Sequence, residues 1–173
     1  MKSVLIVADK KAPLQALKNL EDFGKVIYFE SAGVVYDAIA GHPDIFMFQH
    51  PTGLVVAPQM PTDILSLIEE TGVICVRGAK ELGSQYPNTA AYNALYTTFG
   101  VLHNTKISDR QVLASHKSTI HCRQGYVRCN TIQVGNTIIT SDIGIHKILV
   151  NMGISSLFRS EERRVGKECR YRW

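Results

Sequence analysis

A few thiols, imidazoles, carboxylates and amides are the side chains of this sequence that carry chemistry. Cys129 follows Arg128, and a cation beside a thiol lowers its pKa and favours the nucleophilic thiolate. If the two residues lie on a strand, however, their side chains point to opposite faces, and a buried structural cysteine is the simpler expectation. His116, His121, Cys122 and Cys129 have zinc-ligand chemistry. His121 and Cys122 are neighbours on an expected strand and point apart, so neither a metal nor a cofactor is expected. Asp44 follows His42 and Pro43, where its carboxylate either faces a ligand or satisfies turn amides, and His42 reads as a turn residue. Asn93, at the start of an apolar run, is open to the same two readings. Asp63, Asp109 and Asp142 fall at expected helix starts, where a carboxylate complements the helix dipole. Arg77, Lys80 and Lys106 form no stripe, and Gly78–Gly83 lacks the spacing and the Lys-Ser or Lys-Thr of a phosphate loop.

The elements that must position these residues recur in order. Ser3–Ala8 reads as a strand, a helix follows from Pro13 with Leu14, Leu17 and Leu20 on one side, and 25–30 is a second strand. Asp44–Gln49 and Leu54–Ala57 then flank His50–Pro51–Thr52–Gly53 as a hairpin. A helix follows from a cap at Thr62 to Gly72, and Val73–Val76 is a strand. The order returns with Ala94–Phe99, Val101–Asn104, a helix from Ser108, in capping-box relation to Gln111, and Thr119–Cys122. It returns again with Val127–Val134, the two-residue turn Gly135–Asn136, Thr137–Thr140, a helix capped by Ser141, and Ile154–Phe158. A single ββαβ unit buries little alone, so units recurring at this interval predict an α/β array, propeller-like or solenoidal.

At 173 residues, 45% hydrophobic and 20% charged, the composition excludes a disordered, collagenous or coiled-coil chain. No apolar run approaches the roughly 18 residues of a membrane span, and no secretory leader is legible, so no membrane partner and a cytoplasmic location are expected. The body's three cysteines, Cys75, Cys122 and Cys129, form no disulfide framework. The net charge of +4 suggests nucleic acid until its location is considered. Residues 159–173 (RSEERRVGKECRYRW) hold six of the basic and three of the acidic residues, leaving 13 basic and 12 acidic in 1–158. No nucleic-acid partner is therefore expected. The string 159–173 resembles a translated sequencing adapter and reads as a non-native tail, which makes 1–158 part of a larger domain lacking its C-terminal units. The oligomeric state is not legible.

The strings GHPDIFMFQ (41–49), YPNTAAYNALYTTFGVLHN (86–104) and QGYVRCNTIQVGNTIITSDIGIHKIL (124–149) resemble a bacterial branch, of unassigned activity, of the guanidino-group-modifying enzyme (pentein) superfold. Amidinotransferases, arginine deiminases and dimethylarginine hydrolases share that fold. The resemblance implies a truncated α/β propeller of ββαβ units, pseudo-fivefold when complete, with a site near the axis. It implies that carboxylates hold a planar guanidinium, a late Cys attacks its carbon, and a His shuttles protons. On that pattern Tyr126 stands where the His belongs, and the nucleophile's unit falls outside this chain. The implied ligand-binding candidates are Asp44, Asn93, Tyr126, Arg128 and Cys129, for a small cationic guanidino or amino-acid-like ligand. Any chemistry would be of amidinohydrolase or amidinotransferase type. The alternative is a non-catalytic interaction or scaffold protein on the same superfold.

Overall fold

The computed structural model describes residues 4–160; most of the proposed non-native tail lies outside them. It divides into two compact units, one up to Cys129 and one from Asn130 onward. The first unit opens with β1 (Val4–Asp9), α1 (Leu14–Glu21) and β2 (Gly24–Phe29), where β1 and β2 pair in parallel. Pro13 precedes the first helical turn with its φ already fixed, as expected for a proline at a helix start.

Next come α2 (Pro43–Phe46), β3 (Met47–His50), β4 (Gly53–Val56), α3 (Thr62–Glu69) and β5 (Cys75–Arg77). After a long connection follow β6 (Leu95–Thr97), β7 (Gly100–His103), α4 (Arg110–Ala114) and β8 (Thr119–His121). The second unit repeats the order with β9 (Thr131–Val134), β10 (Thr137–Thr140), α5 (Ile143–Asn151) and β11 (Ser156–Phe158).

The recurrence read from the sequence is therefore real. Each three-stranded sheet runs antiparallel then parallel, in the orders β3-β4-β5, β6-β7-β8 and β9-β10-β11, and none closes on itself. All three hairpins turn through two residues, since His50 pairs with Gly53, Thr97 with Gly100 and Val134 with Thr137. The parallel third strand docks by the same bond each time, from Leu54, Val101 and Ile138 N–H to the carbonyls of Ile74, Ser118 and Ser155. Gly53 and Gly100 permit this approach. Both have φ near +150°, and a Cβ on Gly53 would sit 2.2 Å from the Ile74 carbonyl oxygen. No L side chain fits that conformation cheaply.

Several boundaries differ from the sequence expectation. Residues 44–46 are helical rather than the start of a strand, because Pro43 occupies the first turn of α2 and fixes a helical φ. Two expected caps move by one residue. Asp109 and Asp142, not Ser108 and Ser141, accept from Gln111 N–H and Ile145 N–H; a carboxylate is the stronger acceptor. Thr62 is the first residue of α3 rather than its cap, following Pro61. The core of the first unit gathers Ile27 and Phe29 of β2, Phe46, Phe48 and Val55 around β3 and β4, and Ile64, Leu65 and Ile68 of α3. Phe29 and Phe46 meet with ring centroids 5.2 Å apart. That packing fixes the N-terminal end of β3, and with it Asp44.

Candidate functional site

Asp44, Asn93 and Cys129 each lie two or three residues ahead of the first strand of a module, before β3, β6 and β9. The fold brings the three together. The Cys129 thiol donates to Asp44 Oδ2 at 3.2 Å. Asn93 Nδ2 donates to the Asp44 carbonyl at 3.2 Å and faces Cys129 Sγ at 3.4 Å. Asn93 also arrests the chain that delivers Cys129. Its Oδ1 accepts from Arg128 N–H at 2.9 Å, and its carbonyl accepts from Val127 N–H at 3.1 Å.

With those amides taken, 127–130 cannot extend the ladder, and the expected strand 127–134 begins only at Thr131. The side-chain alternation assumed for Arg128 and Cys129 is therefore absent. The expected buried structural cysteine is instead exposed, in a turn. Arg128 is exposed as well, and close enough for its charge to be felt at the thiol.

His42 joins the group. One ring nitrogen of His42, a carboxylate oxygen of Asp44 and Cys129 Sγ all lie within 4.8 Å of one another. From sequence His42 reads as a turn residue; its place two residues before Asp44 is the only local signal. The other zinc quartet considered from sequence is not assembled. His121 Nδ1 is engaged by Thr105, and Cys122 is buried with its thiol toward the Gln124 carbonyl. Tyr126 is half-buried, its hydroxyl bonded to Thr89 Oγ1 and its ring 5.9 Å from that of Tyr86.

The electrostatics favour protonated groups. Desolvation first, then the charge of Asp44 and the hydrogen bond to it, push the Cys129 thiol up to about 12. Asn93 and Arg128 pull the other way without prevailing. Burial also raises the Tyr126 hydroxyl above its ordinary value, so neither group ionises at neutral pH. Despite its exposure, Cys129 is therefore expected to alkylate with iodoacetamide at pH 8 at least tenfold more slowly than a free cysteine. Asp44→Ala should restore several-fold of that rate by removing the charge and the acceptor. Peptide-resolved mass spectrometry, which separates Cys129 from Cys75, is the measurement. Equal rates in the two proteins would contradict the assignment.

The architecture that carries this site has a relative of known fold. The chain is similar to DDAH from Pseudomonas aeruginosa, solved as a cysteine-to-serine mutant complexed with citrulline, with a TM-score of 0.56 and 13% identity. The alignment covers 92% of this chain and 64% of that one, so the chain spans less than two thirds of DDAH's length. At this identity the likeness shows a shared fold with that structure and nothing about activity. No curated protein matches the chain in sequence. A family profile does, over residues 7–163, and the chain belongs to that family, the family of unknown function DUF6873. The match extends past Phe158 into the first residues of the basic tail. No helix among the described residues is long and apolar enough to cross a membrane.

Proposed function

We propose that this protein binds a small cationic ligand of the guanidino or amino-acid-like class at Asp44, Asn93 and Cys129, on a pentein-type α/β propeller. One observation carries the reading. The half-buried Asp44 carboxylate meets the Cys129 thiol, and its backbone carbonyl meets the Asn93 amide, yet among the described residues no cation pairs with the carboxylate. A half-buried, unpaired carboxylate is costly, and a planar guanidinium compensates it with charge-assisted hydrogen bonds. The exposed Arg128 is suited to a ligand carboxylate, and Tyr126 to the wall beside the ligand. The citrulline in the DDAH structure supports an amino-acid-like class. The free thiols fit a reducing, cytoplasmic compartment.

On this reading binding comes before chemistry. Amidino hydrolysis or transfer needs a thiolate and a proton shuttle. Cys129 holds its proton to about pH 12, and a tyrosine stands where the superfold resemblance puts the His. An interaction or scaffold role without a ligand is the second reading, supported by exposed Ile132, Val134 and Leu157 on the strands of the second unit.

The test is a thermal-shift and calorimetric panel of arginine, agmatine, guanidinoacetate and citrulline, with ureido and ammonia assays alongside. A ligand present at a hundredfold over its Kd adds about 2.7 kcal/mol to folding stability. Asp44→Asn is expected to weaken binding by about tenfold or more, the value of a hydrogen bond to a charged group. No shift and no turnover across the panel would sink the reading and favour the scaffold role.

A further inference from the structure

We propose that His42, Asp44 and Cys129 form a binding site for a soft divalent cation of the zinc class, with one coordination position left open. Imidazole nitrogen, carboxylate oxygen and thiolate sulfur are the three donor types zinc takes, at about 2.0–2.3 Å each. Donors around one tetrahedral ion are thus separated by roughly 3.3–3.8 Å. Asp44 Oδ2 and Cys129 Sγ, 3.2 Å apart, are already at about that separation. The three donor atoms lie within 4.8 Å of one another, so the His42 ring has to close by about an ångström.

That ring is free to do so. The rings of His50, His103, His116, His121 and His146 are each hydrogen-bonded, to Thr52, Ser108, Ser118, Thr105 and Ser156 respectively. Among the described residues the ring of His42, the sixth histidine, has no such partner. Its backbone and that of Asp44 are fixed by the α2 turn and the Pro43 between them.

The surroundings suit a metal-bound thiolate. Asn93 Nδ2 stands 3.4 Å from Cys129 Sγ and is itself held by the Asp44 carbonyl. A fixed N–H aimed at a ligand atom is the outer-sphere support that metal sites use. On binding, the thiol proton passes to solvent. The dication then faces one thiolate, one carboxylate and a neutral imidazole, so the charges cancel. Three protein donors leave the fourth position to water or a ligand, as in open zinc sites.

Cobalt(II) is the probe, because a bound thiolate gives it an intense near-ultraviolet charge-transfer band and tetrahedral coordination gives visible d–d bands. The whole chain is expected to develop both at one equivalent of cobalt and to lose them on adding zinc. Cys129→Ser should abolish the charge-transfer band, while Cys75→Ser and Cys169→Ser keep it. His42→Ala should weaken cobalt binding by about tenfold or more; because the cobalt titration contains no guanidino compound, failure of one reading is distinguishable from failure of the other. Circular dichroism of each variant establishes that it is folded. A folded wild-type chain without the band, or a band that survives Cys129→Ser, would overturn the site.

Discussion

Asp109→Ala is expected to lower the unfolding free energy by about 3–5 kcal/mol, the summed cost of a lost helix cap, of part-buried N–H groups left without their acceptor and of a loosened Tyr92. Asp109 is almost wholly buried, and its carboxylate ties three segments together. One oxygen caps α4 through Gln111 N–H at 2.7 Å. The other takes Ala79 N–H at 2.8 Å and Lys80 N–H at 2.7 Å, and lies 3.3 Å from the Tyr92 hydroxyl. Alanine would leave those amides without acceptors and loosen the Tyr92 ring, which is fully buried and bonded to the Lys80 carbonyl.

For a chain of this size the loss corresponds to a fall in Tm of about 6–20 °C. Asp109→Asn keeps one acceptor oxygen and should cost about half as much. Urea unfolding with an unchanged m-value is the measurement. A loss under about 1 kcal/mol, no more than one ordinary hydrogen bond, would show that the segment is held by other means. In the sequence Asp109 falls at a helix start, one residue past the expected cap Ser108, and it takes the cap itself. Its second role, anchoring a loop about 30 residues away in the chain, is a product of the tertiary fold.

Acid should destabilise the protein through His103. Its ring is fully buried, with Nδ1 against Ser108 Oγ and Nε2 at 2.8 Å from the Gly125 carbonyl. Nε2 donates to the Gly125 carbonyl, and desolvation lowers the ring's pKa to about 4. The unfolded ring titrates near 6.5. Because the folded value is the lower one, the unfolded state binds the proton first as pH falls. Stability is complete above about 6.5 and is lost progressively toward 4, by about 3 kcal/mol in total.

Melts between pH 7 and pH 5 precede most carboxylate titration and isolate the effect. His103→Gln, which keeps a donor and an acceptor without a titrating ring, should flatten that slope. An identical slope in the variant would refute the assignment. The site would feel this loss, because Gly125 begins the segment that leads to Tyr126 and Cys129.

Local order was legible in the residues. Apolar alternation and two-residue turns such as Gly135–Asn136 depend on backbone sterics within a few positions, and they marked the strand–hairpin–helix–strand module before any packing was known. Boundaries failed where neighbours compete for one role. Asp109 outbid Ser108 for the cap, and Ser108 turned instead to His103 and the Asn104 carbonyl. Pro43 likewise converted an expected strand start into a helical turn.

The site is of another kind. Asp44, Asn93 and Cys129 were each identifiable as candidates, but their neighbours are 36 to 85 residues away in the chain. No periodicity encodes such a distance. Sequence alone determined which chemical groups lead into each module. Tertiary structure decided that Asn93 would hold the backbone of 127–128, that Cys129 would therefore leave the strand, and that its thiol would share a carboxylate with His42 as near neighbour. The physical reason is that hydrogen bonds within a segment follow from its own backbone, whereas contacts between segments exist only after the core has fixed where each one ends.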